Sequence, residues 1–572
     1  MPTSLDHVLF LDLEVSPEGK RLLDAGATLG NGEWHSAKLD ELRPWLAKAM
    51  VLAGHNLVRH DAPSLLKRLG DEALKDKLLL DTLGWSALLY ADKPYHKLVK
   101  GYQLQDEDAD SNPLSDAKLC KRLLEEMLGR FGALDDGLKR VYWHLLRDKP
   151  GYAPFFTVAG YVSADPDDAT IKAIQARFSG QLCETAEVER MAQEQPVELS
   201  HVLALMSTAD DASVLPPWVV HALPVAQDLL YALRFNYCGR PSCTYCSERL
   251  DPHKALQAHF NYSEFRRFES DTEPGIQERA VRAALEGRSL LTVFPTGGGK
   301  SLTFQLPALM QGELTRSLTV VISPLVSLMK DQVEVLEERF QNVQAAHLSG
   351  LLSPLERKEV LERVEQGGIH LLYIAPETLR NPTLTRLLQR RHIARFVIDE
   401  AHCFSAWGHD FRVDYLYIGP FLKQLQEDKQ LAHPIPVSCF TATAKPQVVE
   451  DIIRYFKEGL GLELDPFISH ARRENLRYEV IPLHDADADT RKRALLKLVH
   501  ACERPAIVYV SRTKRVEELA AMLEASGLSV RAYHGKMKRE EKQANQDAFM
   551  KGDAEVMVAT NAFGMGVDKE DV

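Results

Sequence analysis

The chain has 572 residues, of which 45% are hydrophobic and 26% are charged, and its formal net charge at pH 7 is −12. A chain of this length is too long for a single hydrophobic core, so about three or four domains are expected. The negative net charge excludes a surface that is basic overall, but it is compatible with a local basic groove. No apolar run reaches the ~20 residues of a membrane span, no signal peptide is present and eight cysteines are too few for a disulfide scaffold, so an intracellular, cytoplasmic protein without a membrane partner is expected.

Hydrophobic periodicity divides the chain into four predicted units. Residues 1–135 alternate strand-like and helical runs, which predicts an α/β domain with strands at Val8–Leu13, Met50–Ala53 and Leu78–Leu80. Residues 136–250 are mainly helical and end in a cysteine-bearing segment. Residues 251–465 and 466–572 alternate apolar strands with amphipathic helices, which predicts two further domains built on parallel sheets with helical crossovers.

The first predicted strand carries two carboxylates. Asp12 and Glu14 share the strand face of Val8 and Phe10, because residues two apart in a strand point the same way. Adjacent carboxylates on an apolar face repel each other and lose hydration. Either a divalent metal ion neutralises them or the strand end lies in water, and this stretch alone leaves both interpretations open.

Further acids follow in a recognisable order. Asp61 comes shortly after Asn56 and the second strand, and Asp116 opens a predicted helix. An Asp-x-Glu pair, a middle Asp and a late Asp resemble the DEDD exonucleases over about residues 5–125. The resemblance implies a ribonuclease-H-like fold with 3′-to-5′ exonuclease activity. It also implies two Mg²⁺ or Mn²⁺ ions held by the catalytic residues Asp12, Glu14, Asp61 and Asp116.

The resemblance leaves the proton-handling residue of this domain open. In the family a catalytic His or Tyr precedes the last acid, and Ser111 occupies the place of the histidine here. His96 or Tyr102 are candidates to substitute for it from nearby. Two hypotheses therefore stand, an active nuclease and a domain that only binds nucleic acid.

Three cysteines lie close together in the segment "YCGRPSCTYC". Cys238, Cys243 and Cys246 have the spacing C-x₄-C-x₂-C, which is typical of thiolates that converge on a metal. A fourth ligand from Cys183 would complete a set that resembles the iron–sulfur clusters of some helicases and nucleases. His253 would instead complete a Cys₃His zinc site. We favour the iron–sulfur cluster and keep zinc as the alternative.

The stretch "FPTGGGKSLTFQL" follows an apolar strand and precedes a helical pattern, as a phosphate-binding loop does. Its glycines let backbone N–H groups approach phosphate oxygens, its lysine reaches the terminal phosphates and its serine binds Mg²⁺. The predicted loop residues are Thr296, Gly297, Gly298, Gly299, Lys300 and Ser301. In "FVIDEAHCFSAWGHDFR", Asp399 ends a strand and is suited to hold Mg²⁺, and Glu400 is suited to activate the attacking water.

These motifs and others in the second half resemble the RecQ family of DNA helicases. The matching pieces run in the family's order over about residues 277–572: "PTGGGKS", "ISPLVSLMKDQV", "LLYIAPETL", "DEAH" with "CFSAWGHDFR", "FTATA", "IVYVSRT" and "YHGKMKREE" with "VATNAFGMGVDK". The resemblance implies two RecA-like lobes, the second incomplete, with ATP in the cleft and single-stranded DNA across both lobes. It also places Gln277 where the family reads adenine.

The loop after the two acids predicts a DNA contact. Aromatic faces stack on bases at ~1–3 kcal/mol each, and cations among them grip phosphate. By the resemblance, two threonines in "FTATA" relay the nucleotide state to DNA. The predicted DNA-binding residues are Phe404, Trp407, His409, Phe411, Arg412, Thr441 and Thr443.

Two functions are consistent with these patterns. The first is an ATP-dependent, 3′-to-5′ DNA helicase fused to a 3′-to-5′ exonuclease, acting on single-stranded, forked or duplex DNA in repair or in defence against foreign DNA. The second is a DNA-stimulated ATPase switch or translocase of a larger assembly, with a front domain that only binds. The sequence stops at Val572, before the arginine motif of the family, so a truncated product or completion by another chain is expected, and we favour truncation.

Overall fold

The computed structural model describes most of the chain. The described residues are 5–16, 21–93, 96, 112–164, 169–208, 213–240, 242–268, 274–339, 344–350, 352–405, 412–431, 433–442, 445–469, 477–483, 487–563 and 569. Among them, no helix combines the length and the apolarity needed to cross a lipid bilayer.

The N-terminal part is a five-stranded mixed sheet with the strand order β3-β2-β1-β4-β5. Strand β1 pairs antiparallel with β2 and parallel with β4. The elements are β1 (Val8–Val15), β2 (Leu22–Leu29), β3 (Gly32–His35), α1 (Arg43–Lys48), β4 (Val51–Gly54), α2 (Ala62–Leu69), β5 (Leu78–Asp81), α3 (Thr82–Leu89) and α4 (Pro113–Ala133). The three predicted strands are present as β1, β4 and β5, and the hairpin of β2 and β3 was not predicted.

The two faces of this sheet pack into different cores. Val8 and Phe10 face a core that includes α4 and the helical segment after it. Leu9, Leu11 and Leu13 point the other way, into a core shared with α1 and α2. The alternation follows from the two-residue period of a strand and places Asp12 on the α4 side of β1.

The helical segment packs on the first sheet at one end and against the next domain at the other. Its helices are α5 (Asp136–Leu146), α6 (Ala153–Ala159), α7 (Thr170–Arg177), α8 (Val188–Glu194), α9 (Pro196–Met206), α10 (Pro217–Ala222), α11 (Ala226–Arg234), α12 (Thr244–Arg249) and α13 (Pro252–Phe260). Trp85 of α3 stacks on Phe155 of α6, with ring centroids 3.9 Å apart, so the sheet domain and these helices share one core.

The next domain is a sheet of seven parallel strands in the order β12-β6-β11-β10-β7-β9-β8. Its strands are almost fully buried, as expected for a parallel sheet covered by helices on both faces. The elements are α14 (Ile276–Leu285), β6 (Leu290–Val293), α15 (Lys300–Thr315), β7 (Leu318–Ile322), α16 (Val326–Arg339), β8 (Ala345–Leu348), α17 (Pro354–Gln366), β9 (Leu371–Ile374), α18 (Pro382–Arg390), β10 (Ile393–Ile398), α19 (Ile418–Asp428), β11 (Val437–Thr441), α20 (Pro446–Leu460) and β12 (Asp465–Ile468).

The last part of the chain forms a smaller parallel sheet of three strands in the order β13-β15-β14. Its elements are α21 (Ala488–Ala501), β13 (Ala506–Tyr509), α22 (Thr513–Ala525), β14 (Val530–Tyr533), α23 (Arg539–Met550) and β15 (Val556–Ala559). The two parallel sheets confirm the α/β class predicted for the second half.

Candidate functional sites

The glycine-rich loop connects β6 to α15 and needs its glycines. Gly297 and Gly299 have φ of 73° and 79°, a region that residues with a Cβ rarely adopt. A Cβ on Gly298 would lie 2.8 Å from the Pro295 carbonyl oxygen. Helix α15 begins at Lys300, so the loop presents backbone N–H groups at a helix N-terminus, a ready-made phosphate site.

Gln277 lies beside this loop and holds it. The Gln277 side chain is buried, its amide nitrogen donates to the Gly299 carbonyl at 3.1 Å, and its amide oxygen accepts from the Arg266 backbone N–H at 2.7 Å. A Cβ on Gly299 would come within 2.3 Å of the Gln277 amide nitrogen. Both ends of the amide thus have protein partners, and its role in reading adenine stays a prediction.

Asp399 and Glu400 follow the last residue of β10. In the sheet, β11 lies between β10 and β6. Burial and the adjacent Glu400 carboxylate raise the pKa of Asp399, whereas the charge of Lys300 lowers it. Lys300 and Asp399 therefore lie within electrostatic range of each other at the carboxyl edge of the sheet, where ligands of open α/β sheets bind. The structure brings together the predicted phosphate-binding and Mg²⁺-binding groups.

A histidine that the sequence pattern did not single out connects this site to β11. His402 Nδ1 lies 3.1 Å from Glu400 Oε2 and 3.3 Å from the Thr441 hydroxyl oxygen. Thr441 is fully buried, which fits the predicted relay rather than a direct contact, and its assignment to DNA binding stays a prediction. The position of the histidine two residues after Glu400 in "DEAH" was the available signal.

Phe404, which was also predicted to contact DNA, is buried in the structure, and its contact with DNA stays a prediction. Its side chain is only 6% exposed, and its ring centroid lies 4.5 Å from that of Tyr455 and 5.3 Å from that of Phe456. Core packing against α20 therefore occupies the ring. Arg412 remains partly exposed and donates to the Pro324 carbonyl at 3.0 Å. The other predicted DNA contacts, Trp407, His409, Phe411 and Thr443, lie outside the described residues.

A close approach of α4 to the sheet brings Asp116 to the side of the sheet that carries Asp12. Asp12 pairs in register with Gly26 of β2. A Cβ on Gly26 would lie 2.1 Å from the backbone nitrogen of Leu114, so the missing side chain lets the start of α4 sit directly against β2. Asp116 lies in the first turn of α4, and its charge acts on Asp12, although no three of the four described acids have carboxylate oxygens that all lie within 4.8 Å of one another.

Asp61 reaches the same place through a turn that Asp81 organises. A single π-helical turn, Leu57–Asp61, follows β4 after Asn56, whose φ is 70°. The Asp81 carboxylate accepts from the backbone N–H groups of Asn56 at 2.9 Å, Val58 at 3.0 Å and Leu83 at 3.0 Å. Asp81 is thus a positioning residue, which its place at a strand end did not reveal.

The four predicted acids interact strongly. Burial, followed by the charges of Asp61, Asp116 and Glu14, raises the pKa of Asp12 to about 7. Burial also raises the pKa of Asp61 to about 6. A bound cation would favour the ionised forms of Asp12 and Asp61, because it offsets their burial and the charge repulsion at Asp12. The donor set consists of hard oxygen ligands, which fits Mg²⁺ or Mn²⁺.

The histidine that contacts these acids is His60, which was not among the predicted candidates, His96 and Tyr102. His96 is buried, its Nδ1 lies 2.9 Å from the Ser86 hydroxyl oxygen, and its backbone carbonyl accepts from His55, so its ring is occupied in packing. His60 is half-exposed, and its Nδ1 lies 2.9 Å from Asp61 Oδ1. The signal for it was its adjacency to Asp61. Tyr102 and Ser111 lie outside the described residues.

The four cysteines of the predicted metal site come together. The sulfur atoms of Cys183, Cys238, Cys243 and Cys246 all lie within 4.8 Å of one another. Cys238 is partly exposed and the other three are buried, and the Arg240 backbone N–H lowers the pKa of Cys238 to about 7. His253 instead pairs with Glu278 at 3.1 Å and is not part of this group, so the alternative Cys₃His set is wrong.

We expect Gly26→Ala to destabilise the first domain by about 2–4 kcal/mol, because the new methyl group must push α4 away from β2. The displacement also moves Asp116 from Asp12. Gly129→Ala is the matched control, since Gly129 lies in the same helix with open space around its Cβ position and should gain up to about 1 kcal/mol. Urea denaturation measures both, and equal stability of the two variants would contradict this packing.

Two helicase family models match the second half of the chain: DEAD/DEAH box helicase over residues 275–452 and Helicase conserved C-terminal domain over residues 490–572. The chain is 39% identical over 303 residues to the ATP-dependent DNA helicase hus2/rqh1 of Schizosaccharomyces pombe. That alignment covers 52% of this chain and 22% of the yeast protein. It is 36% identical over 323 residues to the probable ATP-dependent DNA helicase RecS of Bacillus subtilis. That alignment covers 56% of this chain and 59% of RecS.

Among solved structures, the Mycobacterium smegmatis helicase Lhr bound to ssDNA and AMP-PNP aligns with a TM-score of 0.41 and 21% identity, over 52% of this chain and 40% of that one. Such a distant likeness supports no inference. The chain thus spans less than two thirds of the length of these curated relatives. The first family match contains the glycine-rich loop, Lys300, Asp399 and Glu400, and the second covers the three-stranded sheet. Residues 275–452 and 490–572 therefore match helicase domain models, and this half of the chain is similar to proteins that include the ATP-dependent DNA helicase RecQ of Bacillus subtilis, at 35% identity over 56% of this chain and 50% of that protein.

Proposed function

We propose that the second half of the chain is an ATP-dependent motor that unwinds DNA in the 3′-to-5′ direction. The observation that carries this proposal is that the charge of Lys300, at the start of α15, acts on Asp399 at the carboxyl edge of the same sheet, within the matched DEAD/DEAH box helicase domain. Single-stranded, forked or duplex DNA is the proposed partner, since the relatives are named DNA helicases. The direction rests on the family resemblance alone.

Each residue of this site has a distinct task. The loop N–H groups and Lys300 bind the phosphates of ATP, and Glu400 orients the attacking water. Ser301 and Asp399 would hold Mg²⁺, which supplies neutralisation of phosphate charge when bound. His402 lies between Glu400 and Thr441, so a change at the phosphates reaches β11 and the segment that follows it.

We expect Thr441→Val to reduce DNA stimulation of ATP hydrolysis roughly tenfold, because the isosteric change removes a hydroxyl group beside the His402–Glu400 pair, and a hydrogen bond to a charged group is worth about 1.5 kcal/mol or more. ATP binding should be unchanged.

The matched control for Thr441→Val is Thr292→Val on the adjacent strand β6, whose buried hydroxyl oxygen has no hydrogen-bond partner among the described residues. This control should retain the parent activity. Steady-state ATPase assays with and without single-stranded DNA measure both variants, and equal DNA stimulation in both would contradict the relay.

For the first domain, we propose a metal-dependent 3′-to-5′ exonuclease. The proposal is supported by the sheet order 3-2-1-4-5 and by three further acids, Asp61, Asp116 and Glu14, that raise the pKa of Asp12 together with burial. Asp12, Glu14, Asp61 and Asp116 would hold two divalent ions, which supply a bound hydroxide and stabilise the leaving oxygen. The turn held by Asp81 and the start of α4 position Asp61 and Asp116 for this task.

A nuclease assay on end-labelled single-stranded and forked DNA, with and without ATP, tests both proposals. The parent protein should release nucleotides from 3′ ends with Mg²⁺ or Mn²⁺ and should unwind forks only with ATP. A protein that hydrolyses ATP but neither unwinds nor degrades DNA would instead be a switch or translocase with a front domain that only binds. Repair of DNA and defence against foreign DNA both fit the proposed activities.

A further inference from the structure

The cysteine group joins two distant parts of the chain, and contacts other than the thiols hold these parts together. Cys183 and Cys246 have sulfur atoms 3.5 Å apart. The Cys183 backbone N–H donates to the Leu233 carbonyl at 3.0 Å. The Glu184 carboxylate accepts from both the backbone N–H and the hydroxyl of Thr244, each at 2.9 Å. The four sulfur atoms are therefore brought together by the fold itself.

The spacing of the sulfur atoms distinguishes between the metals. In a tetrahedral Cys₄ zinc site the Zn–S bond of about 2.3 Å places neighbouring sulfur atoms about 3.8 Å apart. In a cubane cluster each thiolate binds a different iron, so the sulfur atoms stand roughly 6 Å or more apart. All four sulfur atoms here lie within 4.8 Å of one another, which fits a single ion and is too close for a cubane.

We propose that Cys183, Cys238, Cys243 and Cys246 bind one zinc ion in a closed tetrahedral site, in place of the iron–sulfur cluster that the sequence favoured. Four thiolates fill the coordination sphere and leave no open position, which is characteristic of a structural rather than a catalytic zinc. Three of the four side chains are buried, so the ion is shielded from solvent on most sides.

The position of this site indicates what the ion stabilises. Cys243 and Cys246 belong to the same apolar cluster as Phe304 and Leu306 of α15, the helix that begins at Lys300. Cys183 comes from the loop between α7 and α8 of the helical segment. The zinc ion therefore links two parts of the helical segment, the α7–α8 loop and the start of α12, within the apolar cluster that also includes residues of α15, and its removal should loosen this packing.

Metal analysis of the whole chain, purified without chelators, tests the proposal. We expect a colourless protein with one zinc ion per chain and no stoichiometric iron by plasma mass spectrometry. Cys243→Ser should lose most of the zinc, whereas Cys502→Ser, which changes an exposed cysteine outside the group, should keep it.

Two further measurements on the unmodified chain keep the test decisive if Cys243→Ser does not fold. Replacement of the metal by Co²⁺ should give the visible absorption bands of a tetrahedral thiolate complex. Four thiols should also resist a thiol reagent until a strong chelator is added. A brown protein with about four irons per chain, a metal-free protein with reactive thiols, or disulfides among these cysteines would each overturn the proposal.

Discussion

Lys300→Ala is expected to lower DNA-stimulated ATP hydrolysis by about a thousandfold or more, because Lys300 supplies the positive charge at the terminal phosphates at the start of α15. Glu400→Gln should have a comparable effect, since the amide cannot accept a proton from the attacking water. Both side chains are partly exposed, so neither change should prevent folding. Steady-state ATPase assays of the parent and variant proteins with single-stranded DNA measure the loss.

The matched control for this result is Lys358→Ala. Lys358 is a well-exposed lysine of α17, and Glu362 lies 3.7 Å from it as an ion-pair partner, so its removal should cost little. Circular dichroism and thermal melting should show all three variants folded. Hydrolysis by Lys300→Ala at the parent rate would show that the assigned nucleotide site is not the catalytic one.

Asp12→Ala is expected to lower metal-dependent release of nucleotides from a 3′ end by about a thousandfold or more, because it removes one of the carboxylates that would hold the two metal ions. The same change relieves repulsion among the remaining acids, since burial and those acids raise the pKa of Asp12 to about 7. The metal-free variant should therefore be at least as stable as the parent. Gel analysis of 3′-to-5′ digestion of 5′-labelled DNA with Mg²⁺ or Mn²⁺ measures the activity.

Two controls separate this result from a general loss of function. Asp40→Ala removes an exposed acid of the same domain that pairs with Arg43, and it should digest DNA at the parent rate. Asp12→Ala should also keep its DNA-stimulated ATPase activity, because the nucleotide site belongs to another core. A parent protein that is inert toward single-stranded, duplex and forked DNA with both metals would contradict the nuclease proposal. DNA affinity unchanged or raised in Asp12→Ala would then indicate a binding domain.

Features that depend only on residues adjacent in sequence, such as the glycine-rich loop and three strands of the first sheet, could be predicted from the sequence. The glycines, Lys300 and Ser301 are contiguous, and their task follows from backbone freedom and charge at the start of one helix. Strands β1, β4 and β5 are apolar runs whose local pattern agrees with their burial. The β2–β3 hairpin was missed because β2 contains Ala and Gly, which have weak strand propensity, and is held by its pairing with β1.

Contacts between segments distant in sequence decided the rest. Phe404 sits in a stretch rich in polar and aromatic residues, yet its burial depends on Tyr455 and Phe456 of a later helix. Asp116 reaches Asp12 only because Gly26, on a strand that was not predicted, lets α4 approach. Residue order alone named the four cysteines but not the metal, since the ligand number and the size of the ion depend on how closely folding brings the sulfur atoms together.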